Sequence, residues 1–233
     1  TWGLLGVQAV FNSIGAWTVL AWGQQFVDAG LASVLNSTSP IFVVIFTGLL
    51  TRHEALGGRK LLGACIGIVG VVLIVGTDAL RGLGDQVIGQ LACLAGAALY
   101  AGAAIYGKRF GDISATATAA GTMTWAMAVL VPAALVLEKP WTLSPGTREL
   151  MAALVLSIPC TGVALLIYFR LVRTLGSLGV ASQSYLRAGI GVILGVVLLD
   201  ETLSASVFTG LATAILGVAL INWPVRKVQL ALR

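Results

Sequence analysis

Eight apolar runs of about 20 residues take up nearly the whole chain, and they constrain its fold more than any other feature. A helix needs roughly 20 apolar residues to cross the hydrocarbon core of a bilayer. With 58% hydrophobic and 10% charged residues, the chain is too apolar for a soluble domain, in which roughly a quarter of residues are charged. We therefore predict an all-α integral membrane protein embedded in the lipid bilayer. Its predicted spans are 2–25, 29–51, 59–76, 87–107, 114–137, 149–171, 177–199 and 205–223.

The basic residues indicate the orientation of these spans. They are scattered in ones and twos, without the basic stripe that nucleic-acid binding requires, so we expect no nucleic-acid partner.

Short cytoplasmic loops are enriched in Lys and Arg, and every second connection here is basic. This predicts a multi-pass protein of the plasma membrane, most simply a bacterial cytoplasmic membrane, with a cytoplasmic C-terminus. The basic residues assigned to the cytoplasmic side are Arg52, Arg59, Lys60, Lys108, Arg109, Arg170, Arg173, Arg226, Lys227 and Arg233.

Two stretches of the chain repeat one pattern at an offset of 147 residues, which makes Glu54 the counterpart of Glu201. The Glu54 loop is predicted to be cytoplasmic and the Glu201 loop external, so the two copies are inverted relative to each other. Inverted repeats are typical of secondary transporters, which bind the substrate near the bilayer midplane between the repeats. Other matched pairs are Leu31 and Leu178, Gly48 and Gly195, Gly63 and Gly210, and Gly70 and Gly217.

The repeat also predicts the domain organisation. Residues 87–224 form a complete C-terminal repeat of five spans, whereas residues 1–76 supply only the third to fifth helices of the N-terminal repeat. Eight of an expected ten helices are therefore present, and the pattern predicts two further helices before Thr1. Residues 77–86 form an external linker, and residues 225–233 form a cytoplasmic basic tail.

A family resemblance appears in these repeated motifs. The pattern "GLASVLNSTSPIFVVIFTGLLTRHE" followed by "GGRKLLGACIGIVGVVLIVG", and again "GVASQSYLRAGIGVILGVVLLDE" followed by "FTGLATAILGVALINW", resembles the EamA-type members of the drug/metabolite transporter superfamily. The resemblance implies ten spans in two inverted five-span repeats, and export of amino acids or other small metabolites. The chain departs from the family where Arg187 and Ala188 stand about where many members have a proline.

Polar side chains within the spans are the candidate substrate-binding residues, because polar groups are costly in hydrocarbon and usually face a cavity or a neighbouring helix. At the repeat offset, Asn36 corresponds to Gln183 and Ser37 to Ser184. Hydrogen bonding between helices, without a substrate, is the alternative for each. Deep aromatic side chains complete the candidate wall. The further candidates are Gln8, Asn12, Trp17, Tyr100, Trp125 and Arg187.

Arg187 is the strongest of these candidates, since it is the only formal charge near the middle of a predicted span. A centred arginine costs about 2.5–3.5 kcal/mol on insertion scales and therefore needs water, a counter-charge or carbonyl groups. Its forked guanidinium suits the carboxylate of a solute. The alternative is a structural pair with a carboxylate from another helix.

Three further features have structural interpretations. Pro40 predicts a helix kink, at which neighbouring hydroxyls can satisfy freed carbonyl groups. Glu54 and Glu201 are expected to cap helices at loops, with a proton-relay role as the alternative. Glycines at helical spacing predict close packing of helices, or contact with a second protomer in a homodimer. These glycines are Gly63, Gly67, Gly70, Gly191, Gly195, Gly210 and Gly217.

No motif in the sequence indicates an enzyme. The single histidine, the three scattered cysteines and the lack of a nucleotide-binding fingerprint predict no catalytic residues, no metal and no cofactor. We predict a transporter of a small-molecule solute, an exporter of amino acids or related metabolites, which works by alternating access. These eight spans contain no titratable group at depth, which predicts facilitated diffusion unless the two further predicted helices supply a carboxylate. The alternatives are a drug or nucleotide-precursor carrier, and a non-transporting membrane scaffold. A transporter should contain a polar-lined cavity between its repeats, and a scaffold should have a dry interior.

Overall fold

Every element in the described part of the chain is helical, as predicted. The computed structural model describes residues 1–27, 29–50, 58–75, 86–186, 190 and 205–223. The first span contains the helices Trp2–Ala9 and Gly15–Gly23, joined by the π-helical segment Val10–Ile14, and the second contains Ala29–Asn36 and Ser39–Leu50. The third to fifth spans are Gly58–Val75, Val87–Tyr106 with the 3₁₀ turn Gly107–Phe110, and Ala115–Leu137. The later helices are Thr147–Ser157, the π-helical segment Ile158–Val163, Ala164–Ala181 and Ala205–Asn222.

Six helices in the described ranges are long and apolar enough to cross a membrane, whereas the sequence predicts eight spans. The difference has two sources. The third predicted span is present as the 18-residue helix Gly58–Val75, but this helix is not one of the six. The seventh predicted span, 177–199, is described only to Leu186 and at Ile190, and its first residues continue the sixth span in the 35-residue helix Thr147–Ala181. Gly176 breaks this helix with a φ of 73°, which glycine adopts readily, and the break lies at the predicted boundary between the two spans.

The apolar side chains lie largely on the outside of the molecule. Leu137 is 76% exposed and Val136 is 73% exposed, and none of the residues Thr147–Ser157 is buried. Soluble monomers rarely present apolar patches of more than a few hundred Å². This surface therefore faces lipid, which supports an integral membrane protein.

The third and eighth spans pack closely, and their contact relates the two repeats. A Cβ added at Gly63 would lie 2.9 Å from the Gly217 carbonyl oxygen, and one added at Gly70 would lie 2.8 Å from the Gly210 carbonyl oxygen. Because Gly63 corresponds to Gly210 and Gly70 to Gly217, each helix presents the same surface to the other. The contact thus has the pseudo-two-fold symmetry of an inverted repeat.

The same contact shows how these glycines are used. Backbones approach closely at small residues, and here Gly63, Gly70, Gly210 and Gly217 face each other within one chain. The predicted homodimer remains a prediction and would need a different face. Gly191 and Gly195 lie outside the described residues.

The second span is interrupted where Pro40 predicts a kink. The helix Ala29–Asn36 ends and Ser39–Leu50 begins, so Pro40 occupies the first turn of the new helix, where its missing N–H is tolerated. The hydroxyl groups at this break do donate to nearby carbonyls. Ser37 Oγ donates to Ser33 O at 2.8 Å, and Thr38 Oγ1 donates to Leu35 O at 2.6 Å.

Candidate functional site

A central cavity of about 490 Å³ lies between the two repeats. The first and second spans line it from the N-terminal repeat, and the fourth, sixth and seventh spans line it from the C-terminal repeat. Six of the predicted substrate-binding residues are on its wall. The lining consists of Asn12, Trp17, Asn36, Ser39, Tyr100, Ala104, Cys160, Thr161, Ala164, Leu165, Tyr168, Ala181, Gln183 and Ser184.

Two amide side chains at repeat-equivalent positions, Asn36 and Gln183, both reach this cavity. The Asn36 Oδ1 atom is buried and has no hydrogen-bond partner among the described residues, and the same is true of the Tyr168 hydroxyl. Buried polar atoms are nearly always hydrogen-bonded in folded proteins. These two atoms therefore offer unfilled hydrogen-bonding capacity to a solute or to water.

Two π-helical segments lie beside the cavity, one in each repeat. Val10–Ile14 in the first span and Ile158–Val163 in the sixth lie at nearly the same position once the repeats are superposed by sequence. Asn12 belongs to the first segment, and Cys160 and Thr161 belong to the second. Single π-turns inside α-helices often occur at functional sites.

The π-turn in the first span affects which of its side chains share the cavity face. Residues five apart lie about 140° apart around a regular α-helix, which has 3.6 residues per turn. A π-turn accommodates one extra residue and reduces that separation, and Asn12 and Trp17 both line the cavity. In the sixth span, the lining residues have the spacing of an ordinary α-helical face; they are Cys160, Thr161, Ala164, Leu165 and Tyr168.

Three predicted binding residues are placed elsewhere and have protein partners. Gln8 is fully buried and donates from Nε2 to Ala103 O at 3.2 Å, whereas its Oε1 atom has no partner among the described residues. The Ser37 hydroxyl donates to the Ser33 carbonyl, one turn earlier in the second span. The Trp125 indole N–H donates to the Trp2 carbonyl at 3.0 Å, and the two indole rings are 6.0 Å apart. The structure gives these side chains helix-packing roles and does not bring them to the cavity wall.

Other predicted residues lie outside the part of the chain that the structure describes. Arg187, the predicted charge at the midplane, is one of them, as are the predicted caps Glu54 and Glu201.

Sequence reasoning did not single out four polar lining residues. Ser39 directly precedes Pro40, and Tyr168 lies near the end of the predicted span 149–171. Cys160 and Thr161 were hidden in an apolar run, although at the repeat offset they correspond to Ser13 and Ile14, directly after Asn12. Neither Ser13 nor Ile14 lines the cavity, so the internal repeat did not identify Cys160 or Thr161.

The chemistry of this wall is binding through neutral groups. Among the described residues, the lining contains amides, hydroxyls, aromatic rings and one thiol, without a charged side chain. The described ranges also contain no cluster of His, Cys, Asp or Glu that could hold a metal ion. Such a wall can donate and accept hydrogen bonds and can cover an apolar side chain with aromatic surface.

Comparisons with known proteins agree with this architecture. The sequence model of the EamA-like transporter family matches residues 1–76 and 87–223. The chain is 26% identical over 212 residues to the uncharacterized inner membrane transporter YedA of Escherichia coli K12, which covers 90% of this chain and 67% of that protein. It is 24% identical over 225 residues to the uncharacterized transporter YvbV of Bacillus subtilis, covering 95% of this chain and 72% of that protein.

Two further similarities concern function and fold. The chain is 28% identical over 199 residues to a protein described as a probable amino-acid metabolite efflux pump of Escherichia coli K12, covering 78% of this chain and 63% of that protein. A solved protein crystal structure superposes with a TM-score of 0.80 at 21% identity and covers 94% of this chain and 76% of that one. At this identity, the structural similarity establishes the fold alone.

Proposed function

This chain belongs to the EamA-like transporter family and is a membrane transporter, and we propose that it exports amino acids or related small organic metabolites by alternating access. The observation that carries the proposal is the central cavity between the inverted repeats. Its volume of about 490 Å³ lies in the range of roughly 300–1,000 Å³ that is usual for small-molecule sites. Secondary transporters built from inverted repeats bind their substrates in this place.

The wall of the cavity supports this substrate class. Asn12, Asn36 and Gln183 present amides that can bond the ammonium and carboxylate groups of an amino acid, and Trp17 and Tyr100 present aromatic surface for its side chain. The similarity to the protein described as a probable amino-acid metabolite efflux pump of Escherichia coli supports export. A polar-lined cavity disfavours the scaffold alternative, whereas a drug or nucleotide-precursor carrier remains the second candidate because aromatic rings also stack on planar ligands.

The orientation in the membrane is part of the proposal. Arg59, at the start of the third span, donates from Nη2 to the Trp223 carbonyl at 2.6 Å, directly after the end of the eighth span. This bond joins two helix ends that the distribution of basic loops assigns to the cytoplasm. We place the C-terminus on that side.

The proposed complete unit has ten spans. The first span packs against the fourth and fifth, which are the first two helices of the C-terminal repeat. The pseudo-two-fold relation therefore assigns two equivalent helices to the outer face of the sixth span. That face is uncovered over Thr147–Ser157, where no residue is buried, so two additional helices would fit there.

Cys160 provides a direct test of the cavity. We expect a charged, membrane-impermeant thiosulfonate reagent to label Cys160 alone. Cys93 is buried. Cys65 is exposed but lies outside the cavity on the apolar third span, where lipid or detergent excludes a charged reagent. Mass spectrometry of the intact purified protein measures the label. A transported amino acid should slow the labelling, and labelled protein in proteoliposomes should lose efflux.

The control for this experiment is Cys160→Ser, which should abolish labelling and retain efflux. A solute panel of amino acids, nucleosides and planar drugs then separates the two candidate functions, because only transported solutes should protect Cys160. Labelling that no solute affects would contradict a binding role for the cavity.

Arg187 remains a predicted substrate contact, and a matched pair of solutes tests it. Arg187→Ala should reduce efflux of a carboxylate-bearing solute at least about tenfold, since one charge-assisted hydrogen bond contributes about 1.5–3 kcal/mol. Efflux of the amide form of the same solute should fall much less, and Arg187→Lys should have an intermediate effect. Equal losses for acid and amide in a folded variant would favour a structural ion pair.

The same vesicles test the energy source. Proton-driven carriers need a titratable group on the path, and no Asp, Glu or His is among the described residues that line the cavity. We propose facilitated diffusion, so a pH gradient should change neither the direction nor the extent of solute movement. Accumulation driven by protons would contradict this mechanism.

A further inference from the structure

A second cavity lies on the lipid-facing side of the molecule, away from the central one. It is an apolar groove of about 710 Å³ formed by the first, second and fourth spans. Phe11 and Phe46 contribute aromatic rings, Ala98 and Gly102 contribute small surfaces, and Arg109 lies at one end. The proposed transport mechanism does not use this groove.

Arg109 gives the groove a single charge. Its side chain is exposed, and its guanidinium lies 4.8 Å from the centroid of the Tyr106 ring, which orients it. In the described part of the chain, no carboxylate pairs with Arg109. The adjacent Lys108 is directed elsewhere, because its Nζ atom would lie 3.9 Å from a Cβ added at Gly176. The positive charge at the groove therefore comes from Arg109.

The length of the groove corresponds to one membrane leaflet. Lining residues of the fourth span run from Ala95 to Arg109, which at 1.5 Å per residue is about 21 Å. Half of a bilayer, headgroups included, measures about 20–22 Å. In the proposed orientation, Arg109 lies at the cytoplasmic end, at the level of the lipid headgroups.

We propose that this groove binds one anionic phospholipid of the cytoplasmic leaflet, with an acyl chain along Ala98 and Gly102 and its phosphate on Arg109. A guanidinium binds phosphate oxygens in a bidentate manner. The cytoplasmic leaflet is negatively charged, and basic pockets between spans on that side bind lipid headgroups. The proposal rests on the orientation given above and is independent of the transported solute.

The test is lipid retention by the purified protein, measured with native mass spectrometry. Phosphatidylglycerol and phosphatidylcholine with identical acyl chains are compared on the unmodified protein, which should retain the anionic lipid preferentially. Arg109→Gln should weaken phosphatidylglycerol binding about fivefold, since a basic residue at the membrane surface contributes about that factor. Lys108→Gln, with the same charge change one residue away, should leave the binding within about twofold.

The groove itself is tested with Ala98→Leu, which fills it without changing charge and should reduce retention of both lipids. Free glycerol phosphate should not compete, because it has no acyl chain. Equal retention of both lipids, equal losses in the Arg109 and Lys108 variants, unchanged retention in Ala98→Leu, or competition by glycerol phosphate would each overturn the proposal. None of these measurements involves solute flux, so their outcome is separable from that of the transport experiments.

Discussion

Replacing Asn36 with leucine should reduce efflux at least about tenfold while leaving the thermal stability of the protein nearly unchanged. The Asn36 Oδ1 atom is buried without a partner among the described residues, so an apolar side chain of similar size removes no protein hydrogen bond there. A substrate group left without its partner in the cavity loses about 1–3 kcal/mol of binding. Efflux from proteoliposomes and the melting temperature of the purified protein measure the two effects.

Two other amides serve as comparisons. Gln183→Leu, at the repeat-equivalent position on the cavity wall, should behave like Asn36→Leu. Asn222→Leu should show the opposite pattern, because Asn222 Nδ2 donates to Ser182 Oγ at 3.3 Å and to Val218 O at 2.9 Å. We expect it to lower the melting temperature and to leave efflux per folded molecule largely intact. If Asn36→Leu transported normally, the amide pair would have no role in solute binding.

Gly217→Ala should destabilise the protein by roughly 3 kcal/mol or more, above the usual cost of overpacking, which is about 1–3 kcal/mol. A Cβ at this position would lie 2.6 Å from Gly67 N and 2.7 Å from Gly63 O. Both are backbone atoms, which cannot turn aside as a flexible side chain can. The loss of folded protein on heating, followed by fluorescence-detected size exclusion, measures the effect.

Gly48→Ala is the matched control, since a Cβ at Gly48 would meet nothing within 4 Å. It should be neutral or slightly stabilising, because alanine favours helix over glycine by about 1 kcal/mol. Gly70→Ala, the repeat counterpart of Gly217→Ala, should be as damaging as Gly217→Ala. Tolerance of alanine at Gly217 and Gly70 would show that the third and eighth spans can separate without loss of the fold.

Much of this fold was predictable because the bilayer separates apolar runs from polar connections. The break at Gly176 lies where the sixth predicted span gives way to the seventh, and the interruption before Pro40 follows from the missing N–H of proline. The inverted relation of the repeats was visible because Glu54 and Glu201 fall in loops of opposite predicted side. These features depend on local composition, which a sequence displays directly.

The candidate site was only partly predictable, because the rotation of each helix about its axis determines which of its side chains line the cavity. Trp125 was predicted to line the cavity, but its indole N–H donates to the Trp2 carbonyl on a neighbouring span. Tyr168 looked close to a helix end, but the helix continues past it to the break at Gly176. In runs where every neighbour is apolar, periodicity does not show which face is turned inward.

The π-helical segments were not predicted for a related reason. One inserted residue rotates the two halves of a span relative to each other. It adds only one residue to an apolar run of about 20 and leaves the mean hydropathy of the run nearly unchanged. Nothing around Asn12 departs from ordinary helix composition, whereas Pro159 and Gly162 flank Cys160 and are unfavourable in a helix interior. Only the resulting alignment of Asn12 with Trp17 reveals the insertion.

The contact between the third and eighth spans also bears on what holds the two repeats together. Gly63 meets Gly217 and Gly70 meets Gly210, so the surface is complementary to an inverted copy of itself. Such a surface joins two units of opposite orientation without any covalent link between them. The connection between the repeats therefore determines which two units pair, and the glycines supply the contact itself.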